Sequence, residues 1–217
     1  MCIRDRIRCK NLSKSHYKFL FTKFRLHLII IVLEVLNNYQ RKKLDETNDE
    51  EFYSDPKFVY HLDANFRQIL SNVYKNEITD YSTVLDLMSS WDSYLPLEKK
   101  YKKVIGHGLN KQELQKNKIF DYFWIQNFNL NQEIPLDSRS IDYCLMVAAW
   151  QYLQYPENLT KEIARILNDQ GKFIIAFSNR AFWHKSPNIW TTSTEEERVK
   201  YVTVSYTHLT LPTILLV

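Results

Sequence analysis

The stretch Thr83-Val84-Leu85-Asp86-Leu87-Met88-Ser89-Ser90-Trp91 decides how this chain is read. Its apolar run predicts a buried strand, and the small residues that follow let a backbone approach a ligand where the next helix begins. Asp86, Met88, Ser89 and Ser90 are therefore candidate ligand contacts. Serines stand where glycines are usual in such a turn, and their hydroxyls can equally cap a helix start by accepting from its orphan amides. Trp91 reads as well as a core residue as it does as a ring against a ligand.

Outward from this stretch, five short apolar runs alternate with helical or turn patterns: residues 82–87, 103–108, 123–127, 141–148 and 172–178. That alternation implies parallel strands joined by crossover helices, an α/β fold. Upstream, Phe58, Leu62, Phe66, Ile69 and Val73 recur at helical spacing and predict an amphipathic helix over 57–77, with Tyr60 and His61 bordering the site. Pro96 confines the first crossover to a short helix near Trp91–Leu95. Glu157 to Leu167 carries Leu159, Ile163 and Ile166 on one face, and Gly171 is placed to close that helix with a positive φ. Thr194-Glu195-Glu196-Glu197 is a capping box that opens a further helix.

Leu85 to Trp91, the loop Ile134-Pro135-Leu136-Asp137-Ser138-Arg139-Ser140-Ile141-Asp142, and Glu162 to Leu167 followed by Gly171-Lys172-Phe173-Ile174-Ile175 together resemble class I S-adenosylmethionine-dependent methyltransferases of the type 11 group. The resemblance spans about residues 52–203. It implies a Rossmann-like, doubly wound, mostly parallel sheet flanked by helices, S-adenosyl-L-methionine as cofactor, and methyl transfer to a small-molecule acceptor. A non-catalytic methyltransferase-like binding or scaffold module is the alternative, because glycines are missing from the first motif.

The same resemblance puts Asp86 near the cofactor's methionine amino group, with Met88, Ser89, Ser90 and Trp91 in the turn around it. In Val104-Ile105-Gly106-His107-Gly108-Leu109-Asn110, Gly106 and Gly108 fall on the cofactor side. Gly108 occupies the position where most of the superfamily has a carboxylate for the ribose hydroxyls. Asn110 is the candidate replacement, its structural alternative being the cap of a helix starting at Lys111. Asn127 and Phe128 match the adenine end, and Asp142 reads as structural. Trp150, Gln151 and Tyr152, with Asn179, Arg180 and His184, fall on the substrate side. No residue is singled out as the base; orientation supplies most of the rate enhancement in such a transfer.

With 45% hydrophobic and 25% charged residues in 217, the chain has the composition of a globular protein. Its charge of +4 is unevenly placed. Residues 1–43 hold eleven Lys/Arg against Asp5 and Glu34, so the remainder carries a net −5. That balance argues against a broad nucleic-acid groove on the core, whose affinity would rest on clustered cations. The apolar run Leu26–Leu36 is too short to span a bilayer, so no membrane span is expected. No metal-spaced Cys/His cluster, phosphate-binding Gly-Lys-Ser/Thr loop or G-x-S-x-G elbow occurs. Cys2, Cys9 and Cys144 form no disulfide framework. A cytoplasmic location is expected, with the basic N-terminal segment as a candidate organellar address.

The ends, Met1-Cys2-Ile3-Arg4-Asp5-Arg6 and Val204 to Thr213, resemble translated sequencing-adapter sequence and are set aside from the fold reading. The expected organisation is a non-native or disordered segment over 1–44, a C-terminally truncated methyltransferase-like domain over 45–203, and an artefactual tail over 204–217. On that reading the sheet lacks its last two strands, and the fifth strand is left as an open apolar edge.

Overall fold

A computed structural model describes residues 19–22, 35–207 and 213–216. In chain order the elements are β1 (Phe19–Thr22), α1 (Asn38–Arg41), α2 (Asp49–Phe52), α3 (Ala64–Glu77), β2 (Thr83–Leu87), β3 (Lys103–Gly108), α4 (Lys111–Lys116), β4 (Tyr122–Ile125), β5 (Ile141–Val147), α5 (Pro156–Ile166), β6 (Leu167–Ala176), α6 (Asn188–Thr192), α7 (Glu195–Thr207) and β7 (Thr213–Leu216). Short 3₁₀ turns cover Trp150–Tyr152 and Trp183–Lys185. The strands order as β1-β7-β6-β5-β2-β3-β4, and β2 to β6 are mutually parallel. From β2 the chain moves outward through β3 and β4, then returns to β5 on the other side of β2. That reversal opens a crevice outside the carboxyl ends of β2 and β5, where ligands bind in open α/β sheets.

Alternation along the strands sends successive residues to opposite faces, and both faces are covered. Leu85, Leu87, Cys144, Met146, Phe173 and Ile175 pack into one core with Leu159, Ile163 and Ile166 of α5 and Tyr201 and Val202 of α7. Val84, Tyr143, Leu145, Ile174 and Ala176 pack into the other against Phe66, Leu70, Val73 and Tyr74 of α3. The strands thus confirm the doubly wound α/β class and four of the five runs to within two residues; β6 starts earlier than expected, at Leu167.

Several local expectations are corrected. The helix expected from residue 57 begins at Ala64, because the Asp63 carboxylate accepts the Phe66 N–H at 2.8 Å and caps it there. Phe58 lies upstream, 48% exposed. No helix forms over 91–95: Asp92 accepts the Tyr94 N–H at 2.8 Å, and Tyr94 turns left-handed at φ 56° before a helix can propagate. Gly171 does not have positive φ. Instead α5 passes straight into β6 through extended Leu167, and the register jumps from Ile141↔Leu167 to Tyr143↔Lys172, so residues 168–171 form a bulge that includes the glycine. The capping box at Thr194 is present, with Thr194 N–H on the Glu197 carboxylate at 2.8 Å.

The ends differ too. β7 pairs in parallel with β6, and β1 pairs antiparallel with β7, so the edge of the fifth parallel strand is covered rather than open. On the N-terminal side Leu36 is 1% exposed, and Arg41 and Lys43 are buried, upstream of residue 45. Residues 1–6, Cys2, Cys9, most of the run from Leu26 and residues 208–212 lie outside the described residues.

Candidate functional site

The crevice is built from the strand ends. Asp86 is 2% exposed, and Ser89 Oγ donates to its carboxylate at 2.6 Å. Burial pushes the Asp86 carboxyl up to about 7, against the opposing pull of the Ser89 and Ser93 hydroxyls. Beyond it Met88 takes φ 52°, the left-handed conformation that glycine adopts without penalty. This turn is held by a residue that the sequence did not single out. His107 Nδ1 accepts the Met88 N–H at 3.0 Å, and its Nε2–H faces the Gln126 carbonyl at 2.9 Å. The imidazole is therefore the neutral Nε2–H tautomer, and burial depresses it to about 3. It lies between Trp124 and Phe128, with ring centroids at 4.9 and 4.0 Å. One side chain thus braces the ends of β2, β3 and β4.

Gly108 is required by a close approach. A Cβ there would stand 2.5 Å from the Ser89 carbonyl oxygen, and the Ser89 N–H donates to the His107 carbonyl at 2.7 Å. The first turn folds down onto the end of β3 and fills the space that an acidic side chain at 108 would need. Asn110 caps α4 by accepting the Glu113 N–H at 3.0 Å, and its amide nitrogen donates to the carbonyls of Tyr53 and Ser54 at 2.8 and 2.9 Å. Its structural alternative is thus realised. The carboxylate on this wall is Glu113, which takes the Lys57 N–H at 2.6 Å and the Ser90 hydroxyl.

The opposite wall is aromatic. Phe182 packs against Phe52, Tyr53, His61 and Tyr152, with centroids at 5.2, 6.3, 5.6 and 6.2 Å. Its N–H donates to the Tyr152 hydroxyl at 3.0 Å. Beneath the rings Asp49 accepts from Lys43 at 2.7 Å and from Asn129 at 3.0 Å, and the buried Lys185 ammonium lies 3.1 Å from Asp45. This buried ion cluster pins the segment carrying α2 onto the crevice.

The resulting cavity, of ≈ 430 Å³, gathers Asp86, Met88, Ser89, Ser90, Gly108, Asn110, Asn127, Phe128, Gln151, Tyr152 and Arg180 from the sequence-predicted set. Tyr60 and His61 border it as expected. Five expected residues are elsewhere. Trp91 turns out to meet the Tyr60 ring at 4.6 Å and the Val59 carbonyl at 3.3 Å. Gly106 sits back along β3 under the Phe120 ring. Trp150 is fully buried near Phe173, Asn179 reaches Glu195 at 3.3 Å, and His184 packs on Phe52 at 5.5 Å. Tyr53 and Glu113 were missed because each comes from an element whose approach to the strand ends is set by tertiary packing.

Strand order and switch point are those of a Rossmann-like α/β fold, and residues 93–175 match the family model for a methyltransferase domain. That stretch runs from the loop after β2 to the end of β6. Among solved structures, the YcgJ protein of Bacillus subtilis is similar at 14% identity and TM-score 0.48, over 66% of this chain and 68% of that one. A SAM-dependent methyltransferase from Aquifex aeolicus is similar at 15% identity and TM-score 0.45, over 66% and 88%. A putative methyltransferase of Haloferax volcanii, in complex with its Trm112 activator, is similar at 20% identity and TM-score 0.40, over 51% and 55%. This chain spans about half the length of that last chain. No curated protein matches in sequence.

Among the described residues no helix is long and apolar enough to cross a membrane, and no group of three or more His, Cys, Asp or Glu could hold a metal ion.

Proposed function

We propose that the crevice binds S-adenosyl-L-methionine and directs its methyl group to a small-molecule acceptor. The observation that carries this reading is the cavity at the β2/β5 switch point, with the buried Asp86 carboxyl at its base and the Glu113 carboxylate on its wall. Its volume lies within the range of small-molecule and cofactor sites. The residues present fit the group. Asp86 would face the methionine ammonium, Glu113 would serve the ribose hydroxyls in place of an acid at 108, and Asn127 and Phe128 would border the adenine. The bound cofactor supplies a methyl carbon activated by a sulfonium. The chain's own part is to hold an acceptor lone pair in line with that carbon and to exclude water, and placement alone can supply roughly 7–11 kcal/mol of barrier reduction. In such a transfer the methyl–sulfur bond would break as the acceptor bond forms, and the acceptor's proton would pass to solvent once the site reopens.

A non-catalytic methyltransferase-like module is the second reading. It is favoured by the Ser89 carbonyl closing over Gly108, which removes the usual place for a ribose acid. Calorimetric titration of S-adenosylhomocysteine separates the two: selective binding over NAD and ATP supports the cofactor site, and a folded chain that binds none of them supports the module.

A further inference from the structure

His61 stands two residues before the Asp63 cap of α3, exposed at the cavity wall. Its ring meets the Phe182 ring edge-on at 5.6 Å and 81°, and neither of its nitrogens has a hydrogen-bond partner among the described residues. The other side chains of the cavity that could take a proton are already engaged by donors. Asp49 holds the Lys43 ammonium and the Asn129 amide, Asp92 the Tyr94 N–H, and Glu113 the Lys57 N–H and the Ser90 hydroxyl. Asp86 accepts from Ser89 and keeps its own proton up to about 7, while His107 spends both nitrogens on Met88 and Gln126. Partial burial holds the His61 imidazole below the usual 6.5, with the Glu113 carboxylate pulling it up and the Lys57 ammonium pushing it down. At neutral pH the ring is thus an uncharged base with an open lone pair, which is what proton transfer from a nucleophile requires.

We propose that His61 takes the proton of the methyl acceptor's nucleophilic atom, and that the acceptor is accordingly an O–H or N–H compound that loses a proton on methylation. This role rests on the methyl-transfer reading. As the acceptor atom bonds to the methyl carbon and the carbon–sulfur bond breaks with its electron pair on sulfur, the acceptor's proton passes to the free ring nitrogen of His61. The exposed imidazolium then returns it to solvent, which restores the base for the next turnover.

The test needs no acceptor. The His61 ring signal of the full, isotope-labelled chain, assigned through its backbone, is followed by NMR against pH with saturating S-adenosyl-L-methionine and again with saturating S-adenosylhomocysteine. The two ligands differ at the reacting centre by the methyl group and one positive charge. A base beside that centre feels the charge, so His61 is expected to titrate about half a pH unit lower with S-adenosyl-L-methionine and to be uncharged at pH 7.5 with either ligand. Identical midpoints with both ligands bound overturn the proposal, because a histidine that only supports the wall does not sense the sulfonium. A midpoint above 7.5 in the S-adenosyl-L-methionine complex also overturns it, since an imidazolium cannot accept a proton. A folded chain whose spectrum responds to neither ligand contradicts the methyl-transfer reading itself, and the role of His61 falls with it.

Discussion

At the scale of single residues, the site replaces the glycines of a first motif with hydrogen bonds. Met88 holds a left-handed backbone because His107 takes its N–H, and Ser89 lies close over Gly108 because nothing projects from that position. Gly108→Ala is therefore expected to cost about 1–3 kcal/mol by overpacking against a backbone oxygen. It should also weaken S-adenosylhomocysteine binding, both effects being read by thermal melts and calorimetry. Gly108→Asp is no gain-of-function change here, since its Cβ meets the same carbonyl. A Gly108→Ala variant as stable as the parent would show that the turn moves freely. Asp86 and Gly108 were legible in the sequence because strand ends and small residues mark them. His107 was not, because a histidine inside an apolar strand carries no signal for which two neighbouring strands it will bridge.

At the scale of elements, the segment from Val35 to Tyr53 behaves as a strap across the crevice. Arg41 binds Glu157 at 2.7 Å with both side chains buried, donates to the Gln154 carbonyl, and lies over the Tyr155 ring at 4.9 Å. Removing one partner of a buried pair strands the other charge, so Arg41→Met is expected to lose about 3 kcal/mol, roughly 6–12 °C in Tm for a domain of this size. Replacing both partners, as Arg41→Met with Glu157→Leu, should recover part of that loss. A single variant that melts with the parent would mean that the strap is not packed as described. The strands and α5 were readable because their apolar periodicity matches the faces they bury. The strap was not, because its hold comes from pairs such as Arg41 with Glu157, separated by 116 residues. The start of α3 was misplaced for a related reason: Phe58 and Leu62 continue the helical spacing, but the Asp63 cap outweighs it.

At the scale of the whole molecule, two buried groups set opposite dependences on pH. The folded chain keeps the Asp86 proton up to about 7, whereas the unfolded chain releases it near 3.8, so between those values the folded state binds more protons and stability falls as pH rises. His107 works the other way: the unfolded chain takes up a proton below 6.5 and the folded chain only near 3, so acid withdraws stability. The Asp86 contribution is isolated by comparing the parent with Asp86→Asn. The variant should gain stability relative to the parent from pH 4 to 7 and hold a constant advantage above, as read by denaturant titration. A difference that does not change with pH would mean that Asp86 is not buried as described. A ligand ammonium beside Asp86 favours the carboxylate, so affinity for S-adenosylhomocysteine should rise between pH 5.5 and 7.5 in the parent.

The most direct measurement is calorimetric titration of S-adenosylhomocysteine into the full chain at pH 7.5, with NAD and ATP as controls and circular dichroism to register the fold. Saturable one-to-one binding of S-adenosylhomocysteine alone is the result predicted. A folded chain that gives no heat with it would contradict the proposed cofactor site, and with it the proposal of methyl transfer.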